Sequence, residues 1–385
     1  MTDPVVIVGA QRTPMGAFQG ALAKLTAAQL GSVAIRAALA QSRVPGEAVE
    51  RGVMGCVLGA GQGQAPARQA LLGAGLPQSV AAVTVNKMCG SGMQAVIDAH
   101  DALIAGSADI VVAGGMESMT NAPYLLAKAR GGLRMGHGEI KDSMFLDGLE
   151  DAYEPGRLMG SFAEDTARDY QFTRSQQDEW AIRSTMRAQS AIAEGAFVGE
   201  VAAAGEVAVD EQPGKARLDK IPLLKPAFAK DGTVTAANAS SISDGAAALV
   251  LIRESVAHAH GLTPLARILG HSVHAQAPSQ FATAPAPAIR KLLERTGYAI
   301  ADIDLWEINE AFAVVAMAAV RDIGLDEDRV NIHGGACALG HPIGASGARI
   351  LVTLLSGLLR TGGTMGVASL CIGGGEATAI QIIRL

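Results

Sequence analysis

The architecture of this chain is visible in one segment, Val83-Thr-Val-Asn-Lys-Met-Cys89-Gly-Ser-Gly-Met-Gln-Ala95. It begins with β-branched residues typical of a strand, passes through a glycine-rich turn and enters a stretch whose apolar residues follow helical spacing. Gly106 and a further β-branched run, Ile110–Ala113, come next. This order predicts a strand, a turn, a helix and a second strand, which is the repeating unit of an α/β fold.

A second segment, near the carboxyl end, repeats the same order. It is Val330-Asn-Ile-His-Gly-Gly-Ala-Cys-Ala-Leu-Gly-His341-Pro-Ile-Gly-Ala-Ser-Gly347, followed by a helical stretch at Ala348–Leu359 and a strand at Met365–Leu370. We therefore predict an α/β protein with a duplicated half and buried strands. The alternative is two unrelated α/β units that share a common pattern.

The middle of the chain differs from both segments. From about residue 120 to 241 the charge density rises and β-branched runs become sparse. An amphipathic helix is predicted over Arg174–Glu194, because Thr173 and Gln176 form a capping box at its start. We expect this region to be an excursion inserted between the core halves.

Composition and charge exclude several classes of protein. Among 385 residues, 31 are basic and 37 acidic, so the net charge of −6 predicts no general affinity for nucleic acid or an anionic membrane. Four cysteines without a C-x-x-C pair are too few for a disulfide framework and favour a reducing compartment. With no signal peptide and no membrane-length apolar run, we expect a soluble, cytoplasmic protein.

Cys89 is the first candidate for chemistry. It lies between a predicted strand and a predicted helix, where the free N–H groups of a helix N-terminus favour the thiolate that attacks carbonyl carbon. Gly90 and Gly92 let a ligand approach the backbone closely. The alternative is a small buried side chain, the usual role of a free cysteine.

The same turn also matches a dinucleotide-binding fingerprint. Gly90, Gly92 and Ala95 fit the pattern G-x-G-x-x-A, and Asp109 follows at about the expected separation. In that fold the acid stands at the carboxyl end of the next strand, whereas Asp109 precedes Ile110. The context therefore disfavours a dinucleotide site.

Three further positions complete a candidate acyl-transfer site. His341 lies in a glycine-rich turn before a proline, and the near-neutral pKa of histidine suits it to take a thiol proton. Its alternative role is to cap a helix. Cys371 precedes Gly373–Gly375, whose N–H groups can form an oxyanion pocket, and Asn309 offers an amide that can hold a water.

Other cysteines and histidines point to packing rather than chemistry. Cys56 and Cys337 are interpreted as packing residues. Four histidines have metal-like spacing but no clear acidic or thiolate partner, so no metal site is expected. They are His258, His260, His271 and His274.

Five motifs together resemble the thiolase family. They are Asn86–Gly92, Gly114–Met119, Asn309–Phe312, Gly334–Gly347 and Cys371–Gly375, in the family's order along the chain. The resemblance implies a duplicated thiolase fold with a five-layer αβαβα core and an inserted loop domain, usually assembled as a homotetramer.

The resemblance also implies three domains. The N-terminal domain comprises residues 1–119 and 242–262, and the C-terminal domain comprises residues 263–385. A loop domain, residues 120–241, helps to bind coenzyme A and makes contacts in the oligomer.

The resemblance assigns a role to each candidate residue. Cys89 becomes the acylated nucleophile, His341 activates it, and Cys371 moves a proton at the α-carbon of the second acetyl unit. One oxyanion hole combines His341 with a water held by Asn309, and the other uses the N–H groups of Cys89 and Gly373. The implied reaction is the reversible ping-pong condensation of two acetyl-CoA to acetoacetyl-CoA and CoA, without a cofactor or metal.

Two other functions remain open. A degradative 3-ketoacyl-CoA thiolase of fatty-acid β-oxidation uses the same residues on longer acyl chains. A non-catalytic relative that only binds acyl-CoA is disfavoured, because no residue of the catalytic set is missing.

Family positions also indicate where coenzyme A binds. The expected contacts of its pantetheine arm are Ser240, Met159, Phe228, Ala236 and Phe312. Arg217, with Lys215 and Lys220, is the nearest basic cluster for the phosphates. The alternative for that cluster is a solvated charged loop.

Four residues depart from the family pattern, namely Leu158, Phe281, His333 and Glu376. Phe281 lies near the expected acyl pocket, where a bulky ring alters the acyl shapes that fit. The sequence predicts no particular effect of His333 or Glu376.

Overall fold

The computed structural model describes residues 3–385. Its strands are β1 (Val5–Arg12), β2 (Gly16–Ala17), β3 (Arg51–Gly55), β4 (Ala81–Val85), β5 (Ile110–Ser118), β6 (Tyr124–Leu126), β7 (Ile140–Asp142), β8 (Ser243–Arg253), β9 (Ala266–Ala275), β10 (Leu305–Ile308), β11 (Met365–Ile372) and β12 (Glu376–Arg384). Its α-helices are α1 (Ala27–Ser42), α2 (Pro66–Gly73), α3 (Ser91–Ile104), α4 (Met159–Asp169), α5 (Arg174–Ala193), α6 (Glu211–Lys215), α7 (Glu254–Ala259), α8 (Pro285–Thr296), α9 (Ala313–Ile323), α10 (Ala336–Leu339) and α11 (Ser346–Thr361).

Two half-sheets with the same topology confirm the predicted duplication. In the N-terminal half, β3 pairs with β5 in parallel, and β8 pairs antiparallel with both β5 and β1. In the C-terminal half, β10 pairs with β11 in parallel, and β12 pairs antiparallel with both β11 and β9. Even the β3–β4 pair has a counterpart, because Val330 forms a parallel bridge with Trp306 of β10.

The half-sheets are joined along one edge. Strands β1 and β9 pair antiparallel through Val6 and Ile7 alone, opposite Arg267 and Ala266. The full order is therefore β10-β11-β12-β9-β1-β8-β5-β3-β4, with β2 attached to β8. This short junction makes the two β layers one continuous sheet.

Alternation along the strands produces the five layers. Ile7 and Leu251 face α3 and α11, whereas their neighbours Val6 and Ile252 face α1 and α2. The outer face of the C-terminal half, which includes Trp306, packs against α8 and α9. The order of layers is thus α1/α2, half-sheet, α3/α11, half-sheet and α8/α9.

The two central helices approach each other closely at their N-termini. A Cβ atom on Gly92 would lie 2.9 Å from the backbone nitrogen of Ala348, and one on Gly347 would lie 2.4 Å from that of Met93. Only glycine permits this approach. This close approach of the two helices brings together the turns that precede α3 and α11.

Two expectations about the elements need correction. Strand β4 is not buried, because it is the edge of the sheet and Val83 is 38% exposed. The excursion leaves after β5 and returns in β8, which pairs with β5, so it lies within the N-terminal half rather than between the halves.

The predicted helix in the excursion is confirmed as α5. The Thr173 hydroxyl accepts from the Gln176 N–H, and the Gln176 side chain accepts from the Thr173 N–H. No helix within residues 3–385 is long and apolar enough to cross a membrane.

Candidate active site

Cys89 lies in the short turn between β4 and α3. Met88 has a positive φ of 47°, and the Ser91 hydroxyl fixes the turn by accepting from the Lys87 N–H and donating to the Met88 carbonyl. A Cβ atom on Gly90 would lie 2.4 Å from Cδ1 of Ile372. The nucleophile turn of the N-terminal half is thus pressed against the end of β11.

The Cys89 thiol is half-buried, and burial raises its pKa above the ordinary value. The N–H of Gly373 and the N–H of Cys89 itself oppose this shift, and Glu117 adds to it. The N–H groups therefore favour the thiolate as expected, but burial outweighs them and the net pKa is raised. The thiol rests protonated and needs a base.

His341 has one ring nitrogen fixed and the other free. The Ser346 hydroxyl donates to the Pro342 carbonyl at 3.0 Å, so its oxygen accepts from His341 Nδ1 at 2.5 Å. This assignment puts the proton on Nδ1 and leaves Nε2 as an acceptor. Nε2 is buried without a hydrogen-bond partner among the described residues.

Burial and a nearby charge keep the His341 ring neutral. The side chain is 6% exposed, and burial together with the charge of Arg349 lowers its pKa to about 3. A neutral imidazole with an unprotonated Nε2 is the form that a general base needs.

Asn309 lies beside His341 at the end of β10. Its N–H donates to the Ser369 carbonyl at 3.0 Å, and its Nδ2 is 3.5 Å from His341 Nδ1. Nη2 of Arg349 lies 3.4 Å from the Asn309 Oδ1, which fixes the direction of the amide. Nη1 of Arg349 lies 3.4 Å from a carboxylate oxygen of Glu307.

Cys371 is fully buried at the end of β11. Burial raises its pKa well above the ordinary value, and the neighbouring Cys89 adds to the rise. The structure therefore brings the two thiols within electrostatic range. Cys371 belongs to an apolar cluster of alanine, valine and phenylalanine side chains that includes Phe162, Phe281 and Phe312.

Two N–H groups near Cys89 are available to a ligand. Within residues 3–385, neither the Cys89 N–H nor the Gly373 N–H donates to a backbone carbonyl. Both residues are partly exposed, so a substrate oxygen can reach them. This pair has the donors that an oxyanion hole requires.

The predicted pantetheine contacts lie on the open side of this site. Met159 Sδ lies 3.5 Å from the point where a Gly373 Cβ would be, and the rings of Phe228 and Phe312 meet edge to face at 6.0 Å. Ser240 follows the bridge between Ala239 and Phe312, and its N–H donates to Ala311. Ala236 is exposed in the loop before Ser240.

Arg217 lies apart from these residues. Its side chain is 71% exposed and lies 3.5 Å from Asp219, while Lys215 pairs with Glu211. Within residues 3–385, no hydrogen bond or ion pair joins Arg217 to the residues around Cys89. Its contact with CoA stays a prediction.

The structure accounts for two of the departures from the family pattern. Phe281 is buried, and its ring lies 6.4 Å from both Phe162 and Phe312. Glu376 forms an ion pair with Lys87 and so connects the Cys371 loop to the Cys89 turn. Nothing in the structure explains Leu158 or His333.

Neither the dinucleotide-binding pattern nor the histidine pattern describes the contacts that these residues make in the structure. Asp109 forms an ion pair with Arg253 at the amino end of β5, away from the turn before α3. His271 lies 2.8 Å from Oδ1 of Asp101, and His100 lies 3.0 Å from the same oxygen. Neither Asp101 nor His100 belongs to the four histidines with metal-like spacing. The expectation that His271 has no acidic partner is therefore wrong, and one ligand atom from each of the three side chains lies within 4.8 Å of the others.

Sequence reasoning missed three polar residues that support the site. Ser346 orients His341, Arg349 orients Asn309, and Glu117 accepts from the N–H groups of two loops. Glu117 is the only charged residue of β5, and Arg349 is a charge among the apolar residues at the start of α11; these were the available signals. Ser346 stands close to His341 in the same turn.

Comparisons with known proteins agree with this geometry. Residues 5–255 match the model described as thiolase, N-terminal domain, and residues 262–384 match thiolase, C-terminal domain. An acetyl-CoA acetyltransferase of Escherichia coli is 49% identical over 99% of both chains. Acetyl-CoA acetyltransferase 2 of Arabidopsis thaliana is 50% identical over 98% of this chain and 96% of its own.

A solved structure is also similar. It is a thiolase from Ascaris suum in complex with coenzyme A, with a TM-score of 0.96 and 44% identity, covering 99% of this chain and 100% of its own. The sequence matches and the structural match extend over both halves. The chain therefore belongs to the thiolase family.

Proposed function

We propose that this chain is an acetyl-CoA C-acetyltransferase, which condenses two acetyl-CoA reversibly to acetoacetyl-CoA and CoA. The observation that carries the proposal is that the Cys89 turn of one half meets both the Cys371 thiol of the other half and the turn that carries the neutral His341 imidazole. The names of its relatives from Escherichia coli and Arabidopsis thaliana support the choice of substrate.

In the first step, the Cys89 sulfur attacks the thioester carbonyl of acetyl-CoA while its proton passes to Nε2 of His341. The N–H groups of Cys89 and Gly373 stabilise the developing oxyanion. The carbon–sulfur bond to CoA then breaks, and the CoA thiolate takes the proton of Cys371. The products are acetyl-Cys89, free CoA, a Cys371 thiolate and protonated His341.

In the second step, the Cys371 thiolate removes a proton from the α-carbon of another acetyl-CoA. The carbanion attacks the acetyl group on Cys89, a carbon–carbon bond forms, and the bond to the Cys89 sulfur breaks. Protonated His341, with a water held by Asn309, stabilises the enolate oxygen of this carbanion, while the N–H groups of Cys89 and Gly373 again stabilise the oxyanion on the acetyl group. His341 then returns its proton to Cys89. Every group is thereby restored.

Packing around Cys371 supports a short acyl group. The rings of Phe162, Phe281 and Phe312 pack edge to face in the apolar cluster that contains this thiol. A long 3-ketoacyl chain requires an open tunnel, so a broad degradative 3-ketoacyl-CoA thiolase is the less favoured alternative.

Thiolysis tests the choice of substrate. Purified protein is assayed with CoA and either acetoacetyl-CoA or a long-chain 3-ketoacyl-CoA at equal concentrations. We expect activity on the four-carbon substrate alone. Comparable rates on both substrates would support the degradative function, and no rate on either, together with CoA binding, would support a non-catalytic acyl-CoA-binding protein.

Coenzyme A enters this scheme as part of the substrate. Its pantetheine arm is proposed to pass Ser240, Met159, Phe228, Ala236 and Phe312, with Arg217 meeting a phosphate. Because each step is assigned to a side chain or an N–H group of the chain, the proposal includes no cofactor or metal.

A homotetramer in the cytoplasm, serving fatty-acid metabolism, completes the proposal. The exposed edge of β4 offers unpaired backbone groups to another copy, and Tyr124, Met135 and Ile140 expose apolar side chains in and beside the β6–β7 hairpin. The four cysteines are free, which suits a reducing compartment. Light scattering measures the assembly, and a monomeric mass would contradict it.

A further inference from the structure

Glu117 is a buried carboxylate that the proposed chemistry does not use. It lies in the motif Gly114–Met119, at the end of β5, and its side chain is fully buried. Three backbone N–H groups donate to it, from Val57 at 3.0 Å, Leu58 at 3.2 Å and Gly344 at 2.9 Å. Such a set of donors satisfies the carboxylate without a cation.

The donors come from both halves of the molecule. Val57 and Leu58 follow β3 in the N-terminal half, whereas Gly344 lies in the turn that carries His341. A Cβ atom on Gly344 would lie 2.7 Å from Oε2 of Glu117, and one on Gly115 would lie 2.0 Å from the Gly344 carbonyl oxygen. The His341 turn therefore rests directly on β5.

We infer that Glu117 is a positioning residue, which fixes the His341 turn over the Cys89 turn by holding the N–H of Gly344. This inference rests on the proposed function. Ile343, the neighbour of Gly344, packs in the same apolar cluster as Cys89 and Met119. A shift of Gly344 is transmitted to His341, three residues away.

The surroundings of Glu117 favour a measurable pH dependence. The titratable groups that face it are the Cys56 thiol, with Sγ 3.6 Å from Oε1, and the Cys89 thiol. Burial raises the pKa of Glu117 to about 7, although the three N–H groups and Cys56 oppose the shift. Protonation removes the charge and turns one oxygen into an O–H donor that faces N–H donors, so the hold of Glu117 on the two loops weakens as the pH falls through about 7.

The test uses Glu117→Gln in the full-length protein. The amide keeps the size of the side chain but turns an N–H group towards N–H donors. We expect acetylation of Cys89 by acetyl-CoA to slow about 100-fold, the effect of a misplacement near 1 Å, with little change in KM. In the wild type the rate should fall as the pH decreases from 8 to 6, and the variant should lack this dependence.

Two matched variants separate positioning from folding. Glu211 also accepts N–H groups of a loop, from Ala17 and Ala21, but lies outside the site, so Glu211→Gln should acetylate at the wild-type rate. Glu307 is another buried carboxyl group near the site, with its pKa raised to about 8 by burial. Glu307→Gln should keep the dependence between pH 8 and 6.

The outcomes distinguish this inference from the proposed function. A wild-type rate and pH profile in Glu117→Gln would overturn the positioning role while leaving the function intact. Absence of acetyl-Cys89 in the wild type would overturn the function itself. If Glu117→Gln does not fold, the wild-type profile decides, because a flat rate between pH 6 and 8 would contradict the inference.

Discussion

The two halves of the molecule share a topology but contribute different chemistry. In the N-terminal half, β4 leads into α3 through a short turn that presents Cys89, and β5 ends in Glu117. In the C-terminal half, a longer connection from Val330 carries His341 to the start of α11, and β11 ends near Cys371. Equivalent places in a duplicated fold thus hold the proposed nucleophile and the proposed anchor in one half, and the two proposed proton carriers in the other.

The difference lies in what surrounds each group. Cys89 is half-buried and reaches the open side of the site, as an acyl acceptor must. His341 is buried, and its orientation depends on Ser346 of its own half and, through Gly344, on Glu117 of the other. Duplication therefore provides the frame, whereas contacts between the halves align the reacting groups.

Removing the nucleophile should have the largest effect. In Cys89→Ala, thiolysis of acetoacetyl-CoA should fall by about 10⁴-fold or more, because no other thiol reaches the same place. Cys337→Ala is the matched control, since that half-buried cysteine lies next to Glu310 in the C-terminal half, and it should retain its rate. Retained turnover in Cys89→Ala would mean that the N-terminal half does not supply the nucleophile.

Changing the proton carriers should reduce turnover by a smaller factor. We expect kcat to fall about 10²- to 10⁴-fold in both His341→Asn and Cys371→Ser, the range for a lost acid or base. Steady-state condensation of acetyl-CoA measures this. Equal kinetics of Cys371→Ser and the wild type would mean that the second thiol moves no proton.

Arg349→Met tests how much the buried arginine contributes to the stability of the C-terminal half and to the pKa of His341. The change leaves buried Glu307 and the Asn309 Oδ1 without their donor, so the free energy of unfolding should fall by about 3 kcal/mol. It also removes the charge that helps to lower the pKa of His341, so that pKa should rise. Urea denaturation and NMR titration measure these two effects.

The control for Arg349→Met is Arg360→Met, in the same helix. Arg360 is partly exposed and lies 3.2 Å from exposed Glu194, so its loss should change stability by about 0.5 kcal/mol or less. An equal loss of stability in Arg349→Met and Arg360→Met would contradict a specific role for the buried arginine.

Stability should depend on pH in opposite ways in the two halves. Burying the charge of Glu117 costs more than its three N–H donors return, which raises its pKa on folding to about 7. The fold therefore loses stability as the pH rises from 4.5 through 7, although the carboxylate is the form that holds the two loops. The pKa of His341 falls to about 3, so its contribution is present above pH 6.5 and is lost as the pH falls towards 3.

Urea midpoints at pH 5 and pH 8 measure this contrast. Relative to the wild type, Glu117→Gln should gain at most about 3 kcal/mol of stability between pH 5 and pH 8. His341→Asn should show the opposite trend, losing relative stability over the same change. Parallel curves for the three proteins would contradict the opposite shifts.

The smallest effect is expected at the ion pair that links the Cys89 turn to the Cys371 loop. Lys87 and Glu376 are both partly exposed, so Glu376→Gln should cost less than about 1 kcal/mol. Added salt should lower the stability of the wild type until it approaches that of the variant, because salt screens the ion pair. A thermal melt with and without salt checks this, and a salt-independent difference would speak against an ionic contribution.

The sequence predicted the features that depend on residues close together in the chain. The strand, turn and helix around Cys89, and the same order before α11, follow from periodicity and glycine placement, and the duplication follows from their likeness. The capping box of α5 is equally local, since Thr173 and Gln176 are neighbours on one turn.

Features that depend on distant residues were missed. The bond from Gly344 to Glu117 joins residues 227 positions apart, and no periodic pattern encodes such a contact. The raised pKa of Cys89 arises because burial by both halves outweighs the N–H groups at the start of α3. Exposure of β4 likewise depends on its place at the edge of the sheet.

The central claim is that the N-terminal half holds the acyl group while the C-terminal half moves protons. Its most direct test is the intact mass and peptide map of Cys371→Ser and His341→Asn after mixing with acetyl-CoA. We predict that Cys371→Ser still accumulates one acetyl group on Cys89, at a reduced rate because the leaving CoA thiolate loses its proton donor, whereas His341→Asn acquires the acetyl group more slowly still. Acetylation of another residue, or equal rates in both variants, would contradict the claim.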